Sequence, residues 1–344
     1  MKAVVLTGVR SVEVRDLPDP KIQAPDEVLL RTAVAGLCGS DLHYFISDQV
    51  GSEKVVYPAV VGHECSAFVE AVGPAVTKVK PGDRVAVEPA ISCGRCDQCR
   101  GGRPHTCRTV GFLGHPGEKD GCLAEFFTMP ERNLFPLPDG VTLSEAMLAE
   151  PLSIALHAIQ LGGGHPGRSI GVLGTGPIGL CVVMALKAVG ISEIYASDRS
   201  DARTQAALRA GALWSSNPDR EDIVRAVLDR QPLGLDAVFE VSGDPAAIEQ
   251  AIELVKPGGT IFQIGIPLAE RITYPIARLR RKEIAIRNVR RQNRCLERSL
   301  LLIETKHLEV AWLANHEFAI ADAPRAFAMA ADRTDDVLKA SIKF

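Results

Sequence analysis

The chain has 344 residues, of which 46% are hydrophobic and 24% are charged, and its formal net charge is -3. A chain of this length exceeds what one hydrophobic core usually organises, so we expect two domains. The small net charge excludes a strongly basic or acidic protein, and it gives no reason to expect nucleic acid or a membrane surface as a partner.

The first residues predict a β-hairpin. The apolar residues 3–6 are followed by Arg10 and by an alternating segment through Val14, which is typical of strands and not of a secretory signal. The longest apolar run, residues 170–186, is rich in glycine and too short for a good membrane span. We therefore expect a cytoplasmic protein, whose nine cysteines are thiols or metal ligands and not disulfides.

Short apolar or alternating segments predict that the first third of the chain is β structure. Turn-forming sequences with Gly and Pro separate these segments, which favours a compact β-barrel or a related fold. The expected strands are residues 3–6, 27–34, 65–72 and 84–88.

One stretch of this β-rich region combines side chains that bind metal ions. It contains Cys38, Ser40 and His43, and it closes with His63 and Glu64. Zinc accepts sulfur, imidazole nitrogen and carboxylate oxygen together, and a catalytic zinc site keeps one position open. On this stretch alone, a packing role for the single Cys and His stays open.

Four further cysteines have the spacing of a structural metal site. Cys93, Cys96 and Cys99 form a CxxCxxC motif, and Cys107 follows after a short loop. Four thiolates close the coordination shell of zinc and leave no position for a substrate, which implies a structural role. An iron–sulfur cluster is the competing interpretation.

The middle of the chain has the pattern of a dinucleotide-binding domain. A strand leads into GTGPIG at 174–179, a helix follows, and a second strand ends at Asp198. Gly174 permits the tight turn, Gly176 lets the backbone approach the pyrophosphate, and Gly179 allows close helix packing. The phosphates are expected at the positive end of the helix. A generic glycine-rich turn is the competing interpretation.

Asp198 predicts which dinucleotide binds. A carboxylate at this position accepts hydrogen bonds from the adenine-ribose hydroxyls and repels a 2'-phosphate, which favours NAD over NADP. Arg199 slightly weakens this inference, since an arginine there could stack on adenine or bind a phosphate.

Strands and helices continue to alternate after Asp198, which predicts a parallel, doubly wound sheet and the α/β fold class. The expected helices are 202–210, 221–230 and 246–256, and the expected strands are 235–241 and 260–265. Helices near 296–304 and 323–331 and a strand-like segment at 337–344 form a tail that we expect to return to the first domain. The expected domains are 1–154, with a metal lobe at about 88–110, then 155–286, and 287–344 as the return segment.

Together these motifs resemble the zinc-dependent medium-chain alcohol dehydrogenase family, and within it the sorbitol, or polyol, dehydrogenase branch. The resemblance rests on residues 38–44, Gly62-His63-Glu64, the four-cysteine lobe, Glu150-Pro151-Leu152, the glycine-rich turn, and Asp198 with Arg203. It implies a discontinuous, β-rich GroES-like catalytic domain and a Rossmann domain. It also implies NAD and two zinc ions per chain, one catalytic and one structural.

The resemblance assigns the catalytic zinc to Cys38 and His63, with Glu64 and Glu150 as direct or water-mediated ligands. The alcohol dehydrogenase branch has a cysteine where Glu150 stands, so the glutamate resembles the polyol branch. Ser40 and His43 match the residues that carry the displaced proton to water, and with Glu150 they are the implied catalytic residues.

The remaining implied contacts concern the cofactor and the substrate. The cofactor contacts are Gly174, Gly176, Pro177, Ile178, Gly179, Asp198, Arg203, Ile264, Gly265, Ile266, Val289 and Arg290. The substrate contacts are Tyr44, Phe112, Glu150, Arg290 and Arg291.

The resemblance implies hydride transfer between NAD and a secondary alcohol of a polyol or sugar derivative, giving a ketose or ketone. The alternatives are a sugar-acid (aldonate) 5-dehydrogenase, an L-threonine 3-dehydrogenase, a butanediol dehydrogenase and, in a different class, a non-catalytic dinucleotide-binding protein. The threonine branch usually has Thr where Ser40 stands. We expect a homo-oligomer, a tetramer or a dimer, whose partner is a small molecule and neither nucleic acid nor a membrane.

A dense basic cluster lies between Arg278 and Arg298. The ordinary interpretation is that these residues form ion pairs, a subunit contact or contacts with the cofactor phosphates. Arg291 stands where the polyol branch typically has an aromatic residue, beside Arg290. Two guanidinium groups suit a substrate with an anionic end, such as an aldonate or a phosphorylated polyol.

Overall fold

The computed structural model describes residues 1–50, 53–164 and 167–344. These residues form two compact units, one of Met1–Glu150 with Leu296–Phe344 and one of Pro151–Cys295. We call them the catalytic unit and the dinucleotide unit. The tail returns to the catalytic unit, as expected, while the boundaries expected at 154/155 and 286/287 stay predictions.

The strands are distributed over both units. In chain order they are β1 (Lys2–Gly8), β2 (Ser11–Asp16), β3 (Glu27–Gly36), β4 (Gln49–Val50), β5 (Glu53–Lys54), β6 (Ala59–Val60), β7 (Glu64–Val72), β8 (Arg84–Val87), β9 (Ala90–Ile91), β10 (Gly111–Phe112), β11 (Phe126–Pro130), β12 (Leu134–Pro136), β13 (Ser169–Leu173), β14 (Glu193–Ser197), β15 (Trp214–Ser216), β16 (Leu235–Glu240), β17 (Val255–Gln263), β18 (Ala285–Asn288), β19 (His316–Ala319) and β20 (Ala340–Lys343).

The helices are concentrated in the dinucleotide unit and the tail. They are α1 (Gly39–Ile46), α2 (Asp97–Arg100), α3 (Leu143–Ala158), α4 (Pro177–Ala188), α5 (Asp201–Ala210), α6 (Ile223–Arg230), α7 (Pro245–Leu254), α8 (Ile276–Lys282), α9 (Leu296–Glu304) and α10 (Ala323–Asp332). Short 3-10 segments occur at Pro104–Thr106, Glu131–Asn133, Ala311–Leu313 and Ile320–Asp322, and a π segment at Ile159–Gly163. Among the described residues, no helix has both the length and the apolar character that crossing a membrane requires.

The catalytic unit is organised around β3. A sheet with the order β12-β8-β7-β3-β20-β19 runs through the unit, and β11 also pairs with β3. Strand β20, from the return segment, is antiparallel to β3, with Ile342 opposite Ala35. Because Leu30, Ala35, Phe327 and Ile342 belong to one buried cluster, the two chain segments share a single hydrophobic core, which favours their joint folding.

The dinucleotide unit contains a six-stranded sheet with the order β15-β14-β13-β16-β17-β18. All of its pairs are parallel, and the order is that of the doubly wound dinucleotide-binding fold. All five residues of β13 are buried, as expected for a central parallel strand covered on both faces. The α/β fold class is therefore confirmed.

The structure corrects the predicted elements of the dinucleotide unit, to which it adds β15, α8 and β18. The helix expected at 246–256 ends at Leu254, and β17 begins at Val255, since Pro257 disfavours helical geometry at the residue before it. Strand β18 was not predicted. It lies at the sheet edge and is largely exposed, so it lacks the apolar run that identified the central strands.

Candidate metal centres and dinucleotide site

The catalytic unit brings together the predicted ligands Cys38, His63 and Glu64. One ligand atom of each residue lies within 4.8 Å of the others. Cys38 precedes α1, and Glu64 begins β7 opposite Gly36 at the end of β3. A Cβ on Gly36 would lie 2.7 Å from Glu64 Oε2. The register of β3 and β7, together with this close approach, therefore fixes the carboxylate beside the cysteine.

Asp41 connects the two chain segments that carry these ligands. Its Oδ2 accepts a hydrogen bond from the Cys38 amide at 2.9 Å, and its Oδ1 accepts one from the Gly62 amide at 3.2 Å. The same Oδ1 lies 3.7 Å from His63 Nδ1. A carboxylate beside the other ring nitrogen orients a metal-binding histidine. Sequence analysis did not assign this role, although an acidic residue three positions after Cys38 is a recognisable capping signal.

Several acidic groups are buried around this cluster. Burial, followed by the charge of Glu64, raises the pKa of the Cys38 thiol. Burial also raises the pKa of Glu150 to about 8, an effect that His63 opposes and Glu64 reinforces. The positive charge of the buried Lys339 opposes the rise of both pKa values. A divalent cation favours the ionised forms of such groups, so these side chains fit a zinc ion.

The predicted proton-carrying residues lie on α1. Ser40 and His43 are three positions apart and therefore share a helix face. Within the described ranges, His43 Nδ1 is buried and has no hydrogen-bond partner. Burial, followed by the positive charge of Arg333, lowers the pKa of His43.

The two predicted substrate residues of the catalytic unit occupy different surroundings. The ring of Phe112 lies against the ring of His63, with centroids 5.0 Å apart. Tyr44 meets His115 edge-on at 6.0 Å. The structure thus places Phe112 at the metal-binding cluster.

The four-cysteine lobe forms a compact sulfur cluster. The ligand atoms of Cys93, Cys96, Cys99 and Cys107 all lie within 4.8 Å of one another. Cys96 Sγ is 3.6 Å from Cys99 Sγ and 3.9 Å from Cys107 Sγ. A tetrahedral site with Zn–S bonds of about 2.3 Å requires sulfur separations of about 3.8 Å. Backbone amides of Arg95 and Cys96 lower the pKa of Cys93 to about 6, which favours the thiolate that zinc binds.

The glycine-rich turn has the close approaches expected from its sequence. Gly174 has φ 92°, and a Cβ there would lie 2.7 Å from the Ser242 nitrogen. A Cβ on Gly179 would lie 2.0 Å from the Gly174 carbonyl oxygen. At Gly176 a Cβ would be 3.5 Å from Arg203 Nη1, so a guanidinium lies beside the turn. Because α4 begins immediately after Gly176 with Pro177 and Ile178, the turn presents a helix N-terminus to an anion.

Asp198 lies at the end of β14, where it was expected. Its Oδ2 accepts a hydrogen bond from the Thr175 amide at 2.8 Å, and its Oδ1 accepts one from the Ser200 amide at 2.9 Å. A carboxylate has about four acceptor positions, so both oxygens can still accept ribose hydroxyls. Arg199 is paired with Asp219 at 3.1 Å.

Comparisons with known proteins place this geometry in a family. Residues 24–139 match the family model described as alcohol dehydrogenase GroES-like domain, and residues 177–304 match the one described as zinc-binding dehydrogenase. Sorbitol dehydrogenase of Bacillus subtilis is 35% identical over 314 residues, which are 90% of this chain and 88% of that protein. The chain belongs to the zinc-dependent medium-chain dehydrogenases. This dehydrogenase is therefore an oxidoreductase that uses zinc and a nicotinamide dinucleotide.

Further relatives support the same assignment. A probable D-xylulose reductase A of Aspergillus fumigatus is 37% identical over 289 residues, 82% of this chain and 80% of that protein. Galactitol-1-phosphate dehydrogenase of Escherichia coli matches with a TM-score of 0.90 and 27% identity over 100% of both chains. The dehydrogenase thus shares its two-unit fold with solved members of the family.

The other predicted cofactor residues follow strand ends in the dinucleotide unit of the dehydrogenase. Ile264 and Gly265 donate amide hydrogen bonds to the Glu240 carbonyl at 2.8 and 3.0 Å. The Val289 amide donates to the Gln263 carbonyl at 2.9 Å. Ile266 lies beside them and is 53% exposed. The carboxyl ends of parallel strands are where this fold binds ligands.

The basic cluster of the dehydrogenase is partly used in packing. Arg278 pairs with Glu253, and Lys282 Nζ donates to three main-chain carbonyls at 2.7 to 3.0 Å. These contacts support the ordinary interpretation for these two residues. Arg290 is exposed, and the half-buried Arg291 has a left-handed backbone with φ 51°, which is uncommon for a residue other than glycine.

Lys339 is a buried residue of the site that the sequence did not indicate. Its side chain is 1% exposed and its Nζ contacts Glu64 Oε2. A lysine is almost never fully buried without a partner, but the sequence around it gave no sign of one. The partner lies on β7, far away in the chain, so only the fold reveals the pair.

Proposed function

We propose that this dehydrogenase oxidises a secondary alcohol of a polyol or sugar derivative with NAD, giving a ketose or ketone. The observation that carries the proposal is the buried Glu150 in the electrostatic environment of Cys38, His63 and Glu64. The alcohol dehydrogenase branch is expected to have a cysteine at this position. The names of the relatives, sorbitol dehydrogenase and D-xylulose reductase, support a sugar alcohol on one side of the reaction and a ketose on the other.

Cys38 and His63 are the proposed zinc ligands, and Glu64 and Glu150 complete the site directly or through water. Zinc supplies a Lewis acid there, which lowers the pKa of a substrate hydroxyl. Asp41 orients the ligands, because it binds the amide beside Cys38 and lies next to His63 Nδ1. The ring of Phe112 contacts the imidazole of His63.

Ser40 and His43 are proposed to carry the hydroxyl proton away. They share one face of α1, and burial lowers the pKa of His43, which keeps the imidazole neutral near pH 7. A neutral imidazole can accept a proton and release it to solvent. The proposed proton path therefore runs along α1, from Ser40 to His43.

The four-cysteine lobe is proposed to hold a second, structural zinc ion. Its sulfur separations fit a tetrahedral site. Since four thiolates fill the coordination shell, this site contributes to folding and not to the reaction.

NAD, which accepts the hydride, is the proposed cofactor in preference to NADP. Asp198 occupies the strand end at which a carboxylate meets the ribose hydroxyls and repels a 2'-phosphate. Arg199 could attract that phosphate, but Asp219 already binds its guanidinium at 3.1 Å. The local charge therefore favours the ribose without a phosphate.

A second candidate function is oxidation of a sugar derivative with an anionic end. It is favoured by the adjacent Arg290 and Arg291 in the segment after β18. Arginine binds carboxylate and phosphate groups in a bidentate manner. One solved relative is named a galactitol-1-phosphate dehydrogenase, which supports a phosphorylated polyol as a member of this substrate class.

The test is a substrate panel with the zinc-loaded protein. NADH formation is measured with alditols, aldonates, 2,3-butanediol and L-threonine, each with NAD and with NADP. We expect an alditol or a sugar derivative to have the highest kcat/KM, and His63→Ala to abolish the signal. Reduction of NAD only by threonine or butanediol would exclude the polyol assignment, and no reduction with any alcohol would favour a non-catalytic protein.

A further inference from the structure

Glu240 is a buried acid that the proposed reaction does not use. It ends β16 and its side chain is 0% exposed. Its Oε1 accepts hydrogen bonds from the amide and the hydroxyl of Ser242, both at 2.7 Å, and from the Gly243 amide at 2.8 Å. In the part of the chain that the structure describes, Oε2 has no hydrogen-bond partner. Burying a carboxyl group with one oxygen that lacks a hydrogen-bond partner costs free energy of folding. The position of Glu240 therefore requires a functional explanation.

The bound loop fills the space between two other backbone segments. We call Ser242 and Gly243 the spacer loop. On one side, a Cβ on Gly174 would lie 2.7 Å from the Ser242 nitrogen. On the other side, a Cβ on Gly265 would lie 2.1 Å from the Gly243 nitrogen. The spacer loop is therefore in direct backbone contact with both neighbours, and it cannot shift without moving one of them.

The neighbours of the spacer loop belong to the proposed dinucleotide site. Gly174 follows β13, and residues 264–266 follow β17, the two strands that flank β16 in the sheet. Glu240 also binds the second neighbour directly, because its main-chain carbonyl accepts hydrogen bonds from the Ile264 and Gly265 amides. One residue thus links the loop ends of adjacent parallel strands, at the edge where this fold binds cofactors.

We propose that Glu240 is a positioning residue for the dinucleotide, which holds the spacer loop so that Gly174 and Gly265 keep the separation that the cofactor needs. Glu240 does not contact the cofactor in this proposal. Its effect is on affinity, because a binding site whose supporting residues are loosened must be reordered when the ligand binds. The inference rests on the proposed cofactor site at the glycine-rich turn.

The chemistry of the side chain suggests a matched pair of substitutions. Burial raises the pKa of Glu240, although the bonds from Ser242 and Gly243 oppose the rise. The three bonds need an acceptor oxygen and not a charge, so Glu240→Gln retains them. Glu240→Ala removes them all. Ser242→Ala removes only the hydroxyl bond to Glu240, together with the bond that Ser242 Oγ accepts from the Asp244 amide at 3.0 Å.

Asp236 supplies a control on the same strand. It lies near the amino end of β16, where it accepts a hydrogen bond from the Ser169 amide at 2.9 Å and pairs with Lys256. Asp236→Ala therefore removes a hydrogen-bonded carboxylate near the amino end of β16. The proposed cofactor site lies at the carboxyl ends of the strands. A purely structural role for Glu240 predicts that Glu240→Ala and Asp236→Ala behave alike.

The experiment measures the Kd of NADH by calorimetric titration at a temperature at which each variant is folded, together with Tm. We expect Glu240→Ala to weaken NADH binding by about tenfold, or about 1.4 kcal/mol. Glu240→Gln and Asp236→Ala should stay within about threefold of the wild type, and Ser242→Ala should be intermediate. In steady-state kinetics with an alcohol that the substrate panel identifies, the KM for NAD should rise in Glu240→Ala while kcat changes little.

The outcomes separate the inference from the proposed function. Tight NADH binding by the wild type that Glu240→Ala leaves unchanged overturns the inference alone. If Glu240→Ala does not fold, unchanged NADH affinity in Ser242→Ala overturns it. A loss of Tm in Glu240→Ala and Asp236→Ala without a difference in Kd shows a structural role only. No NADH binding by the folded wild type overturns the cofactor site and the inference together.

Discussion

Lys339 Nζ contacts Glu64 Oε2, and both side chains are 1% exposed. Lys339 directly precedes β20. Its partner Glu64 is also a proposed zinc ligand. Burial lowers the pKa of Lys339, but Glu64 and Cys38 outweigh it, so the pKa is raised. The ammonium and a metal cation therefore neutralise the same buried acidic groups.

We expect Lys339→Met to destabilise the zinc-free protein more than the zinc-loaded protein. Methionine retains much of the hydrocarbon stem but leaves Glu64 without its partner, and breaking a buried pair in this way costs about 3–5 kcal/mol. A bound cation replaces much of the lost charge. Tm is measured before and after removal of zinc with a chelator.

The double variant Lys339→Met with Glu64→Gln is the control for this prediction. Removal of both charges should restore part of the stability of the zinc-free protein. An equal loss of Tm with and without zinc, unchanged by the second substitution, would show that packing and not charge explains the effect.

Elemental analysis should find two zinc ions per chain. Cys96→Ser should remove one of them and lower Tm, because metal binding at the four-cysteine lobe contributes to folding.

His63→Ala should abolish turnover while the protein stays folded. Cys181→Ala, a buried cysteine outside both clusters, should retain two zinc ions and lose about 1–2 kcal/mol of stability. Active wild-type protein without zinc would contradict the proposal.

The side chains that the sequence assigns to one site are brought together where they are close in the chain, for a physical reason. The proposed zinc ligands Cys96 and Cys99 are close in the chain because one short loop must surround the ion. Gly179 must be glycine because a Cβ there would meet the Gly174 carbonyl oxygen within the same turn. These contacts join residues that are close in the sequence, so residue spacing and residue type are enough to predict them.

The residues that the sequence did not reveal act across long chain separations. Lys339 meets Glu64 only because β20 pairs with β3, and Glu240 links loops that follow three different strands. Strand β18 was missed because an exposed edge strand needs no apolar run. Such relationships follow from sheet order and register, which composition and periodicity do not specify.

We expect Asp198→Ser to reduce the preference for NAD over NADP by about tenfold or more, because it removes the carboxylate that repels a 2'-phosphate. Adding Asp219→Asn should shift the preference further towards NADP, since Arg199 loses the partner that binds it. The measurement is kcat/KM for both cofactors. Asp219→Asn alone is the control and should change the ratio little. Equal efficiency with both cofactors in the wild type would contradict the role of Asp198.

The pH dependence of alcohol oxidation should report on His43. The proton path needs a neutral imidazole, and the pKa of His43 is lowered, so the acid limb of kcat/KM should lie below the usual histidine value of about 6.5. Arg333→Gln removes a positive charge that disfavours the protonated ring. The pKa then rises, and the acid limb should move to higher pH.

Arg333→Lys keeps the charge and serves as the control for the pH profile. It should leave the acid limb near its wild-type position, whereas His43→Gln should abolish the limb. If Arg333→Gln and Arg333→Lys shift the profile equally, the loss of the guanidinium shape, and not of its charge, is responsible.

Arg291 is the residue proposed to bind an anionic substrate. If Arg291 binds a carboxylate or a phosphate, Arg291→Ala should lower kcat/KM for an aldonate by about tenfold or more, while the value for the matching alditol changes by less than about threefold. Arg294→Ala is the matched control, because Arg294 lies in the same segment and has a similar left-handed backbone, with φ 55° against 51°. The two variants therefore share any backbone effect, and they differ in the guanidinium that they remove. A clear preference for the alditol that Arg291→Ala leaves unchanged would exclude the anionic substrate and leave a neutral polyol as the substrate class.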